Sequence, residues 1–584
     1  MPSTVYKGDL AEVSFAPETG MVIRDNTDAS ISVSTSGNIT TITFSSQNNS
    51  ALFDGSAKLR YPKNMLVGSQ LIFEAASSGS SINVGDLPDT GNGGRVFTIV
   101  ENDGATMKIT PAMITSGAFG NNDTIHILPY KTPPMNVDMT HTTAGESVKT
   151  DQFLGIATAL TLPETKVDLK RYHVVGLGRD VSVQVPGKLT NEGGSFEVAM
   201  HSARWLKYCL GHELISSPDS GSVETTLSAE SFAGQSHIVV TSKTGIAVND
   251  YIEIRDEEPL VPIVSDHEPD ADSSSAWAGN MTDFLFDNAK PHEVRRVIGI
   301  SSVDNRLYLD EPLLYPHANS TDIEVRDPDT PGSLPVIVTS AGVITNPVKK
   351  LLFSRTTQPS FALEVSQRRR DMDSDESTTD GGVGDTKELT RVFRGCKVTD
   401  FTMTTDNDAA LRLAVNFNAA LCYTDTGRLE GTPITRYASH RMFDDTANTA
   451  QGRINSGIAL GTQKPFMFYN GSITLAGQQV AQVMNFSLTG QTGMQAFHTI
   501  NGHYQASSAS TDQVPFAGAR NANLMVEGQT SYEMSMEIAV DDPLFYHKMR
   551  TGTEFSVNGE GDSTTNQIRI IFEKNLTGEK MVLL

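Results

Sequence analysis

Phe401-Thr-Met-Thr-Thr-Asp-Asn-Asp-Ala-Ala-Leu-Arg-Leu-Ala-Val-Asn-Phe-Asn-Ala419 is the stretch that decides the fold class. Leu411, Leu413, Val415, Phe417 and Ala419 alternate with Arg412, Ala414, Asn416 and Asn418, the period of a strand with one buried face. This run follows Phe401 to Thr405 across Asp406-Asn407-Asp408, whose short polar side chains favour a turn, so the whole reads as a hairpin. Ile473 and Leu475, a turn around Gly477-Gln478-Gln479, and Val483 to Leu488 read as a second hairpin of the same antiparallel sheet system. Alternation of this kind recurs along the chain, and 48 glycines lean the same way. The expected class is mainly β.

Helical signals are few. Ser195 to Gly211 predicts one helix: Ser195 caps the first amides, Val198, Trp205 and Cys209 form an apolar stripe, and Gly211 takes the left-handed position past the end. A shorter helix is expected over Asp542 to Arg550, with Asp542 as cap, Pro543 in the first turn and Gly552 beyond the end.

The 584 residues imply about four domains, or a core with large insertions, at roughly 150 residues per domain. A weak internal repeat supports the second arrangement. Val67–Phe73, Arg95–Ile99, Met107–Ile109 and Asn122–Ile127 recur in order as Val248–Ile254, Arg296–Ile300, Leu307–Leu309 and Thr321–Val325. We therefore divide the chain into a core segment 1–25, a small β module 26–130, core 131–227, a second β module 228–330, and core 331–584. Within the core, residues 366–390 are a Gly/Ser/Asp-rich polar segment between two strand-like runs, expected as a long loop.

Lys and Arg total 45 against 69 Asp and Glu, a formal net charge of −24. Such a surface repels phosphate and argues against a protein that reads or wraps nucleic acid. The three cysteines, Cys209, Cys396 and Cys422, form no CxxC pair, which argues against a disulfide scaffold or a cysteine zinc site. No basic n-region with an apolar h-region opens the chain and no apolar run reaches the length of a membrane span, so a soluble product of a cytoplasm is expected.

Chemistry-bearing patterns are weak. Gly176-Leu-Gly-Arg-Asp180 begins like a dinucleotide fingerprint but has no third glycine and no surrounding βαβ pattern; a turn accounts for it. Asp371, Asp373, Asp375 and Glu376 open like a calcium loop, but Glu376 stands where glycine is needed and Gly382 where a bidentate Glu is needed. Asp256, Glu257, Glu258, Asp266, Glu268, Asp270 and Asp272, interleaved with Pro259, Pro262 and Pro269, read first as an exposed loop, with a divalent cation or a carboxylate pair as alternatives. His201, Cys209 and His212 do not share one helical face and read as packing or surface positions. No catalytic, cofactor-binding or metal-ligating residue is assigned.

Taken together, Val167-Asp-Leu-Lys-Arg-Tyr-His-Val-Val-Gly-Leu-Gly-Arg-Asp180, Pro359-Ser-Phe-Ala-Leu-Glu-Val365, Phe393-Arg-Gly-Cys-Lys-Val398, Tyr469-Asn-Gly-Ser-Ile-Thr-Leu475 through Leu488, and Asp541-Asp-Pro-Leu-Phe-Tyr546 resemble the major tail tube proteins of tailed viruses. The resemblance implies a β-sandwich or barrel core flanked by one helix, here with two inserted small β modules. It implies a structural virion protein, not an enzyme, that forms hexameric rings stacked into a hollow conduit for viral DNA. Its implied partners are further copies of itself, the tape measure, tail tip and terminator proteins of the tail, and genomic DNA passing without specific binding. No cofactor is implied, and the place is the virion tail after assembly in the host cytoplasm. The 366–390 loop resembles the long loop that such proteins order on stacking, with Arg368, Arg369 and Arg370 facing acidic residues of the next ring and Asp371, Asp373 and Asp375 beside them. An acidic lumen would keep DNA from sticking, and adaptation to high salt is a second cause of the charge. A host-surface-binding tail fibre or decoration protein is the alternative function. A carbohydrate hydrolase using Asp256 or Glu258 is a third.

Overall fold

The structure is a computed structural model. It describes residues 11–18, 21–26, 28–45, 53, 59, 66–74, 96–113, 123–128, 130–132, 156–172, 183–201, 204–216, 223–229, 231, 237–247, 250–255, 292–300, 305–309, 313, 317, 319–326, 349–354, 358–368, 388–406, 408–424, 428–429, 432–433, 465–475, 478–480, 483–500, 503–505, 513–515, 520–539, 568–573 and 580–583. The chain is mainly β, with one α-helix among the described residues.

The first hairpin is present and longer than its sequence signal. Strand Glu388–Asp406 pairs with Arg412–Ala419 and then with Leu421–Thr424, with Phe401 opposite Val415. Leu411, Leu413, Val415, Phe417 and Ala419 are all buried, as alternation requires. On its other edge the long strand changes partner partway along: Phe361–Arg368 pairs with its first half and Val483–Gln491 with its second. The change falls between Cys396 and Asp400, just after an irregularity at Gly395, whose φ of +62° is open to glycine and whose missing Cβ would stand 2.8 Å from the Cβ of Ala420. A strand that bends there serves two directions of sheet, as in sandwiches whose strands cross between layers. The resulting ten-stranded sheet also takes in Ala11–Pro17, Ile156–Thr161, Glu164–Tyr172, Val183–Ala199 and Ser531–Ile538.

The second hairpin differs from expectation. Gly471–Leu475 turns back tightly onto Gln478–Val480, in a separate four-stranded sheet completed by Ile568–Glu573 and Lys580–Leu583. The run from Val483 joins the long strand instead. Both sheets nevertheless feed one core, because Ile473, Ile570, Phe572 and Met581 pack into the same apolar cluster as Phe401, Leu413 and Phe486.

The helix is shorter than its pattern. It spans Arg204–Leu210, while 195–199 belong to strand Val183–Ala199. Phe196 and Val198 are buried and Glu197 between them reaches Arg412, so the period of two prevails over the helical stripe. Phe196 pairs in register with Val415, and that tertiary pairing outweighs local propensity. Gly211 does take a positive φ, +98°, directly after the helix. Trp205 and Tyr208 hold the helix against Phe15, Phe361 and Phe196, with ring centroids 4.4–5.5 Å apart. The helix expected over Asp542 to Arg550 lies outside the described residues.

Two smaller sheets stand apart, each with its own apolar cluster. One runs Met21–Arg24, Thr124–Ile127, Gln70–Glu74, Phe97–Asp103, Thr106–Thr110, Ile39–Ser45, Ser30–Ser36. The other runs Glu224–Thr226, Asp322–Arg326, Tyr251–Arg255, His292–Ile300, Arg306–Leu309, His237–Val239. Six strands follow the same order in both, and the first sheet adds Ser30–Ser36 beyond them. The second sheet curls until its ends meet: Leu227 bridges Val240, and the amide of Ser228 donates to the carbonyl of Val239 at 2.9 Å. In the first, the edge strands Met21–Arg24 and Ser30–Ser36 meet through the Asp25–Ala29 bridge, where the Asp25 carboxylate accepts the Ile31 amide. We call them the first and second barrels.

The aromatic cluster yields a direct test. Phe361→Ala removes a fully buried ring 5.5 Å from Trp205 and is expected to lower unfolding free energy by about 3–5 kcal/mol in urea denaturation followed by tryptophan fluorescence. Tyr469→Ala, at a side chain 68% exposed, is expected to change it by less than about 0.5 kcal/mol.

Candidate assembly surfaces

The sequence places its assembly loop at 366–390, and the structure narrows it. Arg368 is in register with Glu388, and Ser366 with Thr390, so both ends of that segment are strand. Arg369, Arg370, Asp371, Asp373 and Asp375 lie outside the described residues, as do Gly176–Asp180 and the acidic run from Asp256 to Asp272. Cys209 is fully buried on the helix, where burial pushes its thiol well up, and no group of three or more metal-ligating side chains occurs among the described residues. No helix among them is long and apolar enough to cross a membrane.

Another hairpin, within the stretch Val167–Asp180 quoted for the resemblance and the strand after it, projects as an arm. Glu164–Tyr172 pairs with 183–192 of the following strand, and most of its side chains are exposed, with Asn191 buried near the base. Val167, Leu169, Tyr172, Val183 and Val185 are each more than two-fifths exposed, with Tyr172 directly opposite Val183. Ion pairs Glu164–Lys166 and Asp168–Lys170 run along the same strand. Val183 and Val185 alternate with polar residues as 164–172 do, and that alternation is the sequence signal of this strand pair, whose apolar side chains the fold leaves exposed.

A short ribbon flanks the base of the arm. Gln495–Phe497 pairs with Leu524–Val526, and the Leu189 amide donates to the Arg520 carbonyl at 2.8 Å while the His498 ring meets the Leu189 carbonyl at 3.1 Å. Phe497, Leu524 and Val526 are all exposed, and Ile500 beside them is 96% exposed. Among the described strands, Ala11–Pro17 and Glu164–Tyr172 stand at the two ends of the large sheet, and Ser531–Ile538 pairs only with Val483–Gln491. Such edges carry unpaired amides and carbonyls that a strand from a second copy can meet.

Behind these surfaces lies a buried polar junction. The Glu18 carboxylate accepts the Gly395 amide at 2.5 Å, the Lys131 amide at 2.9 Å and the Ser360 hydroxyl. Arg394, also buried, donates to the Val67 carbonyl at 2.9 Å, and the Lys131 ammonium donates to the Asn523 carbonyl at 2.6 Å. The ammonium groups of Lys131 and Lys397 stand 5.0 and 5.4 Å from the Tyr130 ring, and Lys397 pairs with Glu527 at 2.5 Å. Burial pushes Glu18 up to about 7 in spite of its donors and Arg394, and burial pulls Lys131 down to about 7 in spite of Glu18.

The two shifts act oppositely on stability. From about pH 4.5 to 7 the folded chain holds a proton on Glu18 that the unfolded chain has released, so this contribution is full below 4.5 and falls as pH rises, by on the order of 3 kcal/mol in all. From about pH 7 to 10.5 the unfolded chain holds a proton on Lys131 that the folded one has released, so that contribution grows with pH. Together they give a trough near neutrality. Denaturation midpoints at pH 5, 7 and 9 are expected to show Glu18→Gln losing the acidic limb of the trough and Lys131→Met losing the alkaline limb.

No curated protein is similar enough to this chain to match it. A family model described as phage tail tube protein matches residues 91–581, starting inside the first barrel, spanning the second and ending in the last strand. That match covers well over half of the chain, and the chain belongs to the phage tail tube protein family.

Proposed function

We propose that this chain is the major tail tube subunit, assembling as hexameric rings that stack into a hollow conduit for viral DNA. Family membership makes it a structural tail component that assembles with itself and with other tail proteins, and it points away from enzymatic activity. The observation that carries the finer reading is the arm: a hairpin with both faces in solvent and five large apolar side chains exposed is poorly stabilised until another copy covers it. Edge pairing within a ring closes the large sheets into a wall, and ring-to-ring contacts, being heterologous, continue as a filament.

In this reading the segment between Arg368 and Glu388 is a second stacking element, with Arg368, Arg369 and Arg370 meeting acid on the next ring and Asp371, Asp373 and Asp375 meeting base. The chain divides into a wall core and two barrels, the first beginning at Met21 rather than 26 because Met21–Arg24 pairs with Thr124–Ile127. Insertions of this size do not fit a DNA-sized lumen, so the barrels stand outside the wall. DNA passes without being gripped, helped by a net charge of −24, part of which serves solubility in a salty host. Tape measure, tail tip and terminator proteins are the partners at the ends of the tube, assembled in the host cytoplasm into the virion tail. Host-surface contact is a role the outward barrels would add to the tube and not a replacement for it.

Leu169→Asp combined with Tyr172→Asp is expected to leave the unfolding transition of the subunit unchanged and to abolish tubes in negative-stain microscopy. Deletion of 369–387 should likewise give soluble subunits without tubes; tubes of ordinary length in either variant sink the corresponding assignment.

A further inference from the structure

The first barrel is inserted between Pro17 and residue 133, so two linkers form its neck: one leaves the wall strand Ala11–Pro17 and enters Met21–Arg24, the other leaves Thr124–Ile127. Glu18 lies on the first linker and Lys131 on the second, and the Glu18 carboxylate accepts the Lys131 amide at 2.9 Å. The same carboxylate accepts the amide of Gly395, at the bend of the long wall strand, and the hydroxyl of Ser360, at the start of Phe361–Arg368. One buried side chain thus ties incoming linker, outgoing linker and wall. Other contacts also cross the neck: the Lys131 ammonium donates to the Asn523 carbonyl at 2.6 Å, and Lys131 and Tyr130 stand 3.1 Å from where a Cβ on Gly395 would be. Arg394 reaches the Val67 carbonyl, the Ser69 hydroxyl donates to the Lys131 carbonyl at 3.0 Å, and Gly68 stands against Leu421. The apolar clusters of the barrel and of the wall are separate, so neither relies on the other for its own core.

We infer that Glu18 is a latch: its carboxylate fixes the first barrel on the wall, and its removal frees the barrel to pivot as an intact body while barrel and wall stay folded. Three donors lose their acceptor at once, and each of them sits on a different piece of chain. Buried donors left without an acceptor recover partners by admitting water, and the neck is where water enters. This inference concerns the subunit alone and does not depend on tube formation.

Hydrogen exchange of the full chain, followed by mass spectrometry, tests it. In Glu18→Ala, peptides containing Lys131 and Gly395 are expected to exchange at least about tenfold faster, while Phe97–Asp103 and Thr106–Thr110 in the barrel and Arg412–Ala419 in the wall keep wild-type protection. Ser360→Ala, which removes one of the three bonds and strands no donor, should give the same pattern at smaller amplitude, as should Glu18→Gln, which keeps one acceptor oxygen. Faster exchange throughout the barrel or wall interior would make Glu18 an ordinary part of the core and overturn the latch. Unchanged neck protection overturns it too. If Glu18→Ala yields no soluble protein, the two milder variants decide by the same criteria.

Discussion

The bend at Gly395 is the constraint on which the rest of this subunit depends. A straight strand of that length would carry a single flat sheet; bending it lets one half pair with Phe361–Arg368 and the other with Val483–Gln491. The bend needs a left-handed backbone position, and it turns an amide inward where no strand can accept it. Glu18 meets that amide. Because Glu18 also belongs to the chain that runs into the first barrel, the bend of the large sheet and the neck of the barrel meet at one point, and burial there raises the pKa of its carboxyl group.

How much of this was legible in the sequence follows the range of the interaction concerned. The Leu411–Ala419 run was legible because its alternation is local and its partner lies a turn away. The two small sheets left a weak repeat in the sequence because the order of their strands is the same and most of the spacings between them agree. The helix was half legible: Trp205 and Cys209 do lie on it, but Phe196 and Val198 satisfy a strand equally well, and only the pairing with Arg412–Ala419 decides. Glu18 was not legible at all. Its partners stand 113, 342 and 377 residues away, and nothing near it in sequence marks it as other than a surface acid.

The assembly surfaces divide in the same way. Composition singles out the polar segment beyond Arg368, because glycine, serine and aspartate cannot build a core. It passes over the arm, because Val167, Leu169 and Val185 look like core residues until the pairing shows that no layer covers them. An apolar residue kept in solvent by the fold can be told from a buried one only through its neighbours in space. The ribbon with Phe497 and Leu524 escaped notice for that reason as well.

Closure of the barrels has a bearing on how such a chain can grow. The second sheet, whose end strands bridge, leaves no free edge there, so inserting it costs the host fold little beyond bringing two chain ends together. It neither competes with the wall for pairing nor recruits other copies in the wrong direction. Two such units occur in this chain, one after Pro17 and one after Ser216, with six strands in the same order. In both, the first and last strands are antiparallel neighbours, so the chain leaves each barrel beside the point at which it entered.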